Sequence, residues 1–263
     1  MEVRELARRV VETASLDEKL APFPEEWTDA DPGPSLRLPG PGRPANLVIS
    51  PVTETRVPRP GGMADPVQRP RLLHALANHE LQATELYAWA LLAFPEAPAD
   101  YRRGLVAILH DEQRHTRMYA ARLKAHGAEL GDYPVSGYFW NKVEHVTSPL
   151  RFVCAMALTF ENANLDHTVD LAELARTGGD DKTAAVIDRV HRDEVEHVRF
   201  GWKWLRRLKD EDQTEWEAFR ANLTWPLRPA KAKGRRFHRR GREAAGLDPD
   251  FIRRLEASEK QIS

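Results

Sequence analysis

The chain has 263 residues, of which 41% are hydrophobic and 30% are charged, and its formal net charge is −1. This near-neutral balance gives no overall field that would attract nucleic acid or an anionic membrane. No apolar run approaches the roughly 20 residues of a membrane span, and the charged N-terminal segment lacks a signal-peptide core. The single cysteine, Cys154, excludes an intramolecular disulfide and a multi-cysteine zinc site. We therefore expect a cytoplasmic protein.

Residues 1–65 predict one helix followed by an extended arm. Apolar side chains recur at helical spacing within residues 2–14. Residues 22–70 are rich in proline and glycine, as in DPGPSLRLPGPGRP, and this density prevents regular structure. We expect the arm either to wrap on the following domain or to be mobile.

Four long segments with helical periodicity follow the arm. They cover residues 66–94, 98–126, 148–177 and about 181–209. Each is long enough to form roughly 40 to 45 Å of helix at about 1.5 Å per residue. Four helices of matched length predict an all-α helical bundle.

The connections between these helices predict their topology. Only a few residues join the first helix to the second and the third to the fourth, so each pair should form an antiparallel hairpin. An aromatic-rich link, residues 128–147, joins the hairpins and is long enough to run the length of the bundle. Two hairpins joined by such a crossover form a ferritin-like four-helix bundle. The predicted bundle domain is 66–209, and residues 210–263 form a C-terminal extension with a short helix and a basic run.

Two copies of an Asp-Glu-x-x-His motif interrupt otherwise apolar helix faces. The second helix contains HDEQRH, with Glu112 and His115, and the fourth contains RDEVEH, with Glu194 and His197. A glutamate and a histidine three residues apart lie on the same side of a helix. Buried charges of this kind need a partner that offsets the loss of water.

The first and third helices carry one acid each at the corresponding place on their apolar faces. Glu80 and Glu161 lie about 32 positions ahead of Glu112 and Glu194, so the chain repeats one hairpin pattern. Four glutamates and two histidines are the ligand set of a dinuclear non-haem metal centre. Carboxylate-rich ligation favours iron, or manganese, over zinc. The predicted ligands are Glu80, Glu112, His115, Glu161, Glu194 and His197.

Further polar residues near these positions are interpreted as an outer shell. Asp111 and Asp193 each precede a ligand glutamate, and each could accept the ring N–H of the histidine on the opposite hairpin. Glu85 and Asp166 lie five residues after Glu80 and Glu161, about 140° around the helix. We interpret them as outer-shell or surface groups and favour Glu80 as the ligand of the first helix.

Three other side chains share the ligand faces. His191 lies one turn before Glu194, and a hydrogen-bonded core histidine is favoured over a seventh ligand or proton donor. Tyr119 could relay electrons or bond a metal-bound species, or simply be a buried tyrosine bonded to a backbone carbonyl. Cys154 is most simply a small core residue.

The segments LLHALANHELQATEL, DEQRH, LTFENANLDHT and DEVEHV, with the GDYPV link, resemble the ferritin-like diiron-carboxylate superfamily. The resemblance covers about residues 66–209. It extends to a bacterial branch known mainly as a domain of unknown function, which is grouped with the tRNA isopentenyl-adenosine hydroxylases. By motif position it implies that the six residues bind metal and that the four glutamates are catalytic. Members include oxygenases, desaturases, ferroxidases and peroxidases, so the resemblance fixes the cofactor better than the substrate.

The leading hypothesis for function is a diiron oxygenase that uses O2 to oxidise an organic substrate. The long segments on both sides of the bundle, and the small side chains of Ala83 and Asn164 beside the predicted ligands, favour it over iron storage. Electrons should come from a separate reductase, because the sequence has no flavin fingerprint or cysteine cluster. The alternatives are a ferroxidase, peroxidase or dimanganese catalase, and a non-enzymatic helical scaffold.

Other partners are less well specified by the sequence. The basic run KAKGRRFHRRGR, residues 231–242, could contact an anionic partner such as tRNA. A solvated tail is the favoured interpretation, because the chain as a whole is nearly neutral. We expect no membrane partner, and a homo-oligomer is compatible with the sequence.

Overall fold

The computed structural model describes residues 1–51, 53–224 and 226–259. Every regular element in these residues is helical, apart from two isolated bridges that pair Glu2 with Thr28 and Ile49 with Val135. The expected all-α class is therefore confirmed. Contacts between residues divide the chain into two compact units, unit 1 at 1–144 and unit 2 at 145–263. None of the described helices is long and apolar enough to cross a membrane.

Unit 1 contains one helical hairpin and two shorter α-helices, together with short 3₁₀ helices. The hairpin helices lie within a few residues of their predicted bounds, whereas the second short helix was not predicted. The Ser15 hydroxyl caps this helix by accepting from the Glu18 N–H, so the sequence signal was the SLDE capping pattern. The helices are α1 (Val3–Glu12), α2 (Leu16–Leu20), α3 (Arg69–Ala93) and α4 (Ala99–Ala125).

Helix α3 is buried on nearly all sides, including at its polar positions. A helix of this kind must be covered all round by other parts of the chain. Helices α1 and α4 pack against it, and the arm and the link provide the remaining cover. Buried side chains on α3 therefore face irregular segments, whose backbone groups need hydrogen-bond partners.

The arm wraps on the C-terminal half of α3. The Leu36 N–H and the Ser35 hydroxyl donate to the carbonyls of Leu92 and Ala93, at 2.9 and 2.8 Å. The Trp89 indole donates to the Leu38 carbonyl at 3.0 Å. The last carbonyls of a helix have no partner within it, so the arm satisfies groups that would otherwise be orphaned. Of the two expectations for the arm, the wrapped one is confirmed.

The link between the hairpins runs beside α3 within unit 1. The Asn78 amide donates to the Ser136 carbonyl at 2.9 Å, and the Gln82 amide oxygen accepts from the Phe139 N–H at 3.1 Å. Further on, the link forms a 3₁₀ helix, Trp140–His145. The buried amides of α3 therefore serve as backbone partners for an irregular segment.

Unit 2 contains the second hairpin and three short helices. Its long helices match the predicted bounds, and the Ser148 and Asp180 side chains cap their first turns. The first helix of this hairpin is not regular throughout, because a π-helical turn interrupts it. The elements are α5 (Pro149–Ala155), the π turn (Met156–Glu161), α6 (Asn162–Thr177), α7 (Asp181–Leu208), α8 (Glu215–Ala221), α9 (Arg239–Ala244) and α10 (Pro249–Ala257).

The C-terminal extension is more structured than expected. One short helix was predicted there, and the described residues form α8, α9 and α10. Trp202 of α7, Trp216 of α8 and Phe251 of α10 stack edge to face, with ring centroids 5.0 and 5.5 Å apart. These contacts extend the apolar core of unit 2 beyond the hairpin. The interpretation of 231–242 as a solvated tail is wrong for Arg242, which is fully buried.

Candidate metal centre

Unit 1 brings together its three predicted ligands. Glu112 and His115 lie one turn apart on α4, and Glu80 lies on the adjacent α3. One ligand atom from each of the three lies within 4.8 Å of the others, and all three residues are buried. The His115 Nδ1 is 3.6 Å from Glu80 Oε2 and 3.6 Å from Glu112 Oε2. This cluster could hold a metal ion.

The electrostatics of this cluster show how a bound cation would stabilise it. Burial, together with the nearby carboxylate of Glu112, raises the pKa of Glu80 to about 8. Two carboxylates in a site without water disfavour each other's charged form. A bound cation would offset both the repulsion and the lost hydration.

Unit 2 contains a second cluster with the same composition. Glu194 and His197 lie one turn apart on α7, and Glu161 is the last residue of the π turn. The His197 Nδ1 is 3.9 Å from Glu161 Oε2 and 3.7 Å from Glu194 Oε2. All three residues are buried. The Asn164 amide donates to Glu194 Oε1 at 3.2 Å and so orients that carboxylate.

The spacing within both clusters suits metal ligation. Ordinary hydrogen bonds between a ring nitrogen and an oxygen measure about 2.7–3.2 Å, and the separations of 3.6 to 3.9 Å given above are longer. Two ligand atoms that each lie roughly 2.1 Å from a shared ion stand roughly 3 to 4 Å apart. The residues therefore fit a metal better than they fit direct histidine–carboxylate hydrogen bonds.

The π turn positions Glu161 and was not predicted. The Thr159 hydroxyl donates to the Cys154 carbonyl, five residues back, at 2.7 Å. A Cβ atom on Gly201 would lie 2.4 Å from the Cβ of Ala157, so α7 approaches the turn more closely than any other residue type allows. Such turns occur frequently at functional sites. The only sequence signal for this contact was the glycine within the apolar stripe of α7.

The two aspartates beside the ligand glutamates pair with arginines of their own helices. Asp111 lies 2.6 Å from the Arg114 guanidinium, and Asp193 lies 3.0 Å from that of Arg189. Their role as acceptors of a histidine N–H stays a prediction.

Glu85 is a fully buried ion-pair residue, so the surface interpretation is wrong for it. Arg43 of the arm clamps its two oxygens at 2.9 and 2.7 Å. The Lys19 ammonium lies 3.3 Å away, and the Trp140 indole donates at 2.8 Å. Nothing local to α3 indicated Arg43, which is 42 residues distant in sequence.

Asp166 occupies the same place in unit 2 and is also fully buried, so the surface interpretation is wrong here too. Arg242 donates to its two oxygens at 2.7 and 3.0 Å. The backbone N–H groups of Gly234 and His238 donate to it at 2.8 and 2.7 Å. The basic run of the extension thus contributes its last residue to the core of unit 2.

The remaining predicted residues have mostly structural surroundings. His191 is half-buried, its Nδ1 lies 2.8 Å from the Thr168 hydroxyl, and burial lowers its pKa. This supports the hydrogen-bonded histidine favoured from the sequence. Tyr119 is buried. Burial raises the pKa of the Cys154 thiol, which suits an unreactive core residue.

Comparison with protein-family models gives a match that covers most of the chain. A model of the family described as "Protein of unknown function (DUF455)" matches residues 3–253. Neither the curated proteins nor the solved structures include a match to this sequence. The matched region contains the arm and most of the extension as well as both clusters. The flanking segments are therefore part of the family pattern.

Proposed function

We propose that this chain, which belongs to the DUF455 family, is a metalloenzyme of the ferritin-like diiron-carboxylate kind. The observation that carries the proposal is the repeat of one buried triplet. Each unit supplies a glutamate from one helix and a Glu-x-x-His pair from the next, with similar spacing. We propose that each triplet holds one metal ion, so that the chain binds two.

The donor set favours iron, with manganese as the alternative. Four carboxylates and two imidazoles are hard and borderline ligands, whereas zinc sites usually contain more nitrogen or sulfur. The carboxylates would balance the charge of the two ions, and each histidine would complete the ligand set of one of them.

The chain's own buried ion pairs argue against a non-enzymatic scaffold. The two buried arginine–carboxylate pairs of this protein are in hydrogen-bond contact. Arg43 lies 2.7 Å from Glu85, and Arg242 lies 2.7 Å from Asp166. The histidines of the two clusters stand at 3.6 Å or more from their carboxylates. The clusters are thus built differently from the structural pairs of the same protein.

The proposed reaction is the oxidation of an organic substrate with O2. A bound pair of iron ions would supply the activation of O2. The four glutamates, Glu80, Glu112, Glu161 and Glu194, would hold the ions and neutralise their charge. All six proposed ligands are buried, which would keep bulk water away from the reaction. Electrons would come from a separate reductase.

Metal analysis tests the site. Protein purified from iron-replete cells should contain about two metal ions per chain, as measured by elemental mass spectrometry. Glu194→Gln should lose most of this metal, because it removes a charged ligand. Glu196→Gln, the same change at an exposed position two residues away, should keep it. A folded protein that binds neither ferrous nor manganous ion would contradict the proposal.

Stopped-flow mixing with ferrous ion and O2 distinguishes an oxygenase from a ferroxidase. An oxygenase should oxidise about two ferrous ions per chain, retain them, and then need electrons from a reductant before it reacts again. A ferroxidase should continue with every further addition of ferrous ion and release ferric product. Sustained oxidation with release would overturn the oxygenase assignment while leaving the metal site intact.

A further inference from the structure

The two hairpins differ at three positions around their proposed ligands. These positions lie three and seven residues after the first glutamate of each triplet, and three residues before the second. In unit 1 they hold two aliphatic residues and a tyrosine, all of them buried: Ala83, Tyr87 and Leu109. In unit 2 the matching positions are polar: Asn164, Thr168 and His191. The repeat is therefore broken next to the ligands.

The polar residues of unit 2 form two bonds between α6 and α7. The Asn164 amide of α6 donates to Glu194 Oε1 on α7 at 3.2 Å. One turn away on both helices, the Thr168 hydroxyl lies 2.8 Å from His191 Nδ1. This hydroxyl donates its single hydrogen to the Asn164 carbonyl at 2.5 Å, so His191 Nδ1 is the donor to it. Two successive bonds thus hold the helices in register beside Glu194.

The Asn164 bond fixes the orientation of the Glu194 carboxylate. Glu194 Oε2 lies 3.7 Å from His197 Nδ1, while Oε1 accepts from the amide. The amide therefore determines which carboxylate oxygen faces the histidine. A side chain that is already oriented loses less conformational freedom when it binds an ion.

The matching residues of unit 1 cannot make these bonds. The methyl group of Ala83 has no donor with which to replace the Asn164 amide, and the Leu109 side chain cannot replace the His191 ring. The orientation of Glu112 must therefore come from contacts other than these two. The second glutamates of the two triplets are thus held by different means.

The burial of the two partners indicates which one depends on the bond. Asn164 is half-buried, so water could satisfy its amide. Glu194 is fully buried and has lost its water, so its carboxylate depends on donors from the protein. The bond therefore matters more to the ligand than to the asparagine.

We infer that the triplet of unit 2 binds its ion more tightly than the triplet of unit 1, and that Asn164 is the positioning residue responsible. This inference rests on the metal site proposed for each unit. Partners that orient a ligand typically change metal affinity about 10- to 100-fold. When metal is limiting, the chain should therefore hold one ion, in unit 2.

Calorimetric titration of the metal-free full chain with manganous ion tests this order. We expect two binding steps, the first tighter than the second by about tenfold or more. Mirror variants assign the steps to the units. Glu194→Gln should remove the tight step and keep the weak one, and Glu112→Gln should do the opposite.

The outcomes for the order are distinct from those for the metal site. One indistinguishable affinity for two ions, or loss of the tight step in Glu112→Gln, would overturn the inference and leave the site intact. A folded parent that binds no ion would contradict the proposed site, and this inference with it.

Asn164→Ala tests the positioning residue, because it gives unit 2 the residue that unit 1 has at the matching place. It should weaken the tight step about 10- to 100-fold and leave the weak step unchanged. Alanine is the best helix former, so the fold should be kept, which circular dichroism verifies. Thr168→Val removes only the bond to His191 and should weaken the tight step less, by about fivefold.

Asn222→Ala is the matched control. It makes the same change at a half-buried position of α8, where the amide donates to the Ala218 carbonyl at 2.8 Å. Both binding steps should be unchanged in this variant. Equal weakening of the two steps by Asn164→Ala would mean that Asn164 only stabilises the fold, and an unchanged tight step would mean that it does not position Glu194. Either result would overturn its assigned role.

Discussion

The two units hold a buried acid in the same place by unrelated means. Glu85 and Asp166 each lie five residues after the first glutamate of their cluster, and each is clamped by an arginine from outside the hairpin. Arg43 comes from the arm before the first hairpin, and Arg242 comes from the extension after the second. The two hairpins therefore repeat one sequence pattern, whereas the arginine that pairs with the buried acid comes from a different flanking segment in each unit. Both flanking segments therefore help to stabilise the hairpins that contain the predicted ligands.

The groups that bind Glu85 and Asp166 differ in how much compensating positive charge they supply. Glu85 faces two cations, Arg43 and Lys19, and also accepts from the Trp140 indole. Asp166 faces one arginine and two backbone N–H groups. Loss of one arginine should therefore leave Glu85 partly paired and Asp166 without a cation in its clamp.

The largest expected effect tests this difference. Arg242→Met should lower the free energy of unfolding by about 3–5 kcal/mol, because it leaves a buried carboxylate without its cation. Arg43→Met should cost less, about 1–3 kcal/mol, since Lys19 remains beside Glu85. Urea unfolding followed by tryptophan fluorescence measures both.

An exposed ion pair provides the control for these arginine variants. Arg239 pairs with Glu256 at the surface, so Arg239→Met should cost less than about 1 kcal/mol. If Arg43→Met destabilised the protein as much as Arg242→Met, the two clamps would be equivalent and the comparison would fail.

The units also differ in the helix that contains the first predicted ligand. Glu80 lies within the regular helix α3, whereas Glu161 ends a π turn that α7 approaches at Gly201. Asn164 follows Glu161 by three residues and bonds Glu194, whereas Ala83 in the matching position has no side-chain donor. The two triplets therefore contain the same residue types, but different helix geometry and different side-chain contacts hold them in place.

Gly201→Ala should disturb the triplet of unit 2 alone. The new methyl group would overlap Ala157, and overpacking of this kind costs about 1–3 kcal/mol. Displacement of the π turn should also move Glu161, so we expect the metal content to fall by about half. Thermal unfolding and elemental analysis measure the two effects.

Two further variants make this test specific. Adding Ala157→Gly to Gly201→Ala removes the overlap and should restore both stability and metal. Gly61→Ala, at a position with nothing within 4 Å of the added Cβ, should change neither. A Gly201→Ala protein with full stability and metal content would show that the close approach is not required.

The sequence predicted most of the helices and the members of both triplets, because both follow from local periodicity. Glu112 and His115, or Glu194 and His197, are spaced by a single helix, and their partners lie on the neighbouring helix of a short hairpin. The clamps were missed because Arg43 and Arg242 lie 42 and 76 residues from their acids. No local pattern encodes such a pairing.

The π turn was missed for a different reason. Its residues, MALTFE, are mostly apolar and fit an α-helix as well as a π turn, so their spacing did not predict the π turn. What distinguishes the turn is a tertiary contact, the approach of α7 at Gly201. Likewise, the extension showed short helical patterns whose packing against Trp202 could not be read from its own sequence.

The smallest predicted effect concerns how the irregular segments are held. In unit 2, Asp166 accepts the Gly234 N–H, and in unit 1 the His74 Nε2 accepts the Gly131 N–H at 3.0 Å. Only a neutral imidazole has a nitrogen that can accept. Burial lowers the pKa of His74 to about 4, below its usual value of 6.5.

Unit 1 should therefore lose stability in mild acid through His74. Above pH 6.5 neither the folded nor the unfolded chain protonates this histidine, so its contribution is constant. Between pH 6.5 and about 4 the unfolded chain takes up the proton and the folded chain does not, which favours unfolding. Allowing for solvent screening, we expect a loss of about 1–2 kcal/mol across that window. His74→Gln keeps an acceptor for Gly131 but cannot titrate, so urea unfolding at pH 7 and pH 4.5 should show a smaller difference for the variant than for the parent. An equal difference would mean that the link is not held by a neutral histidine.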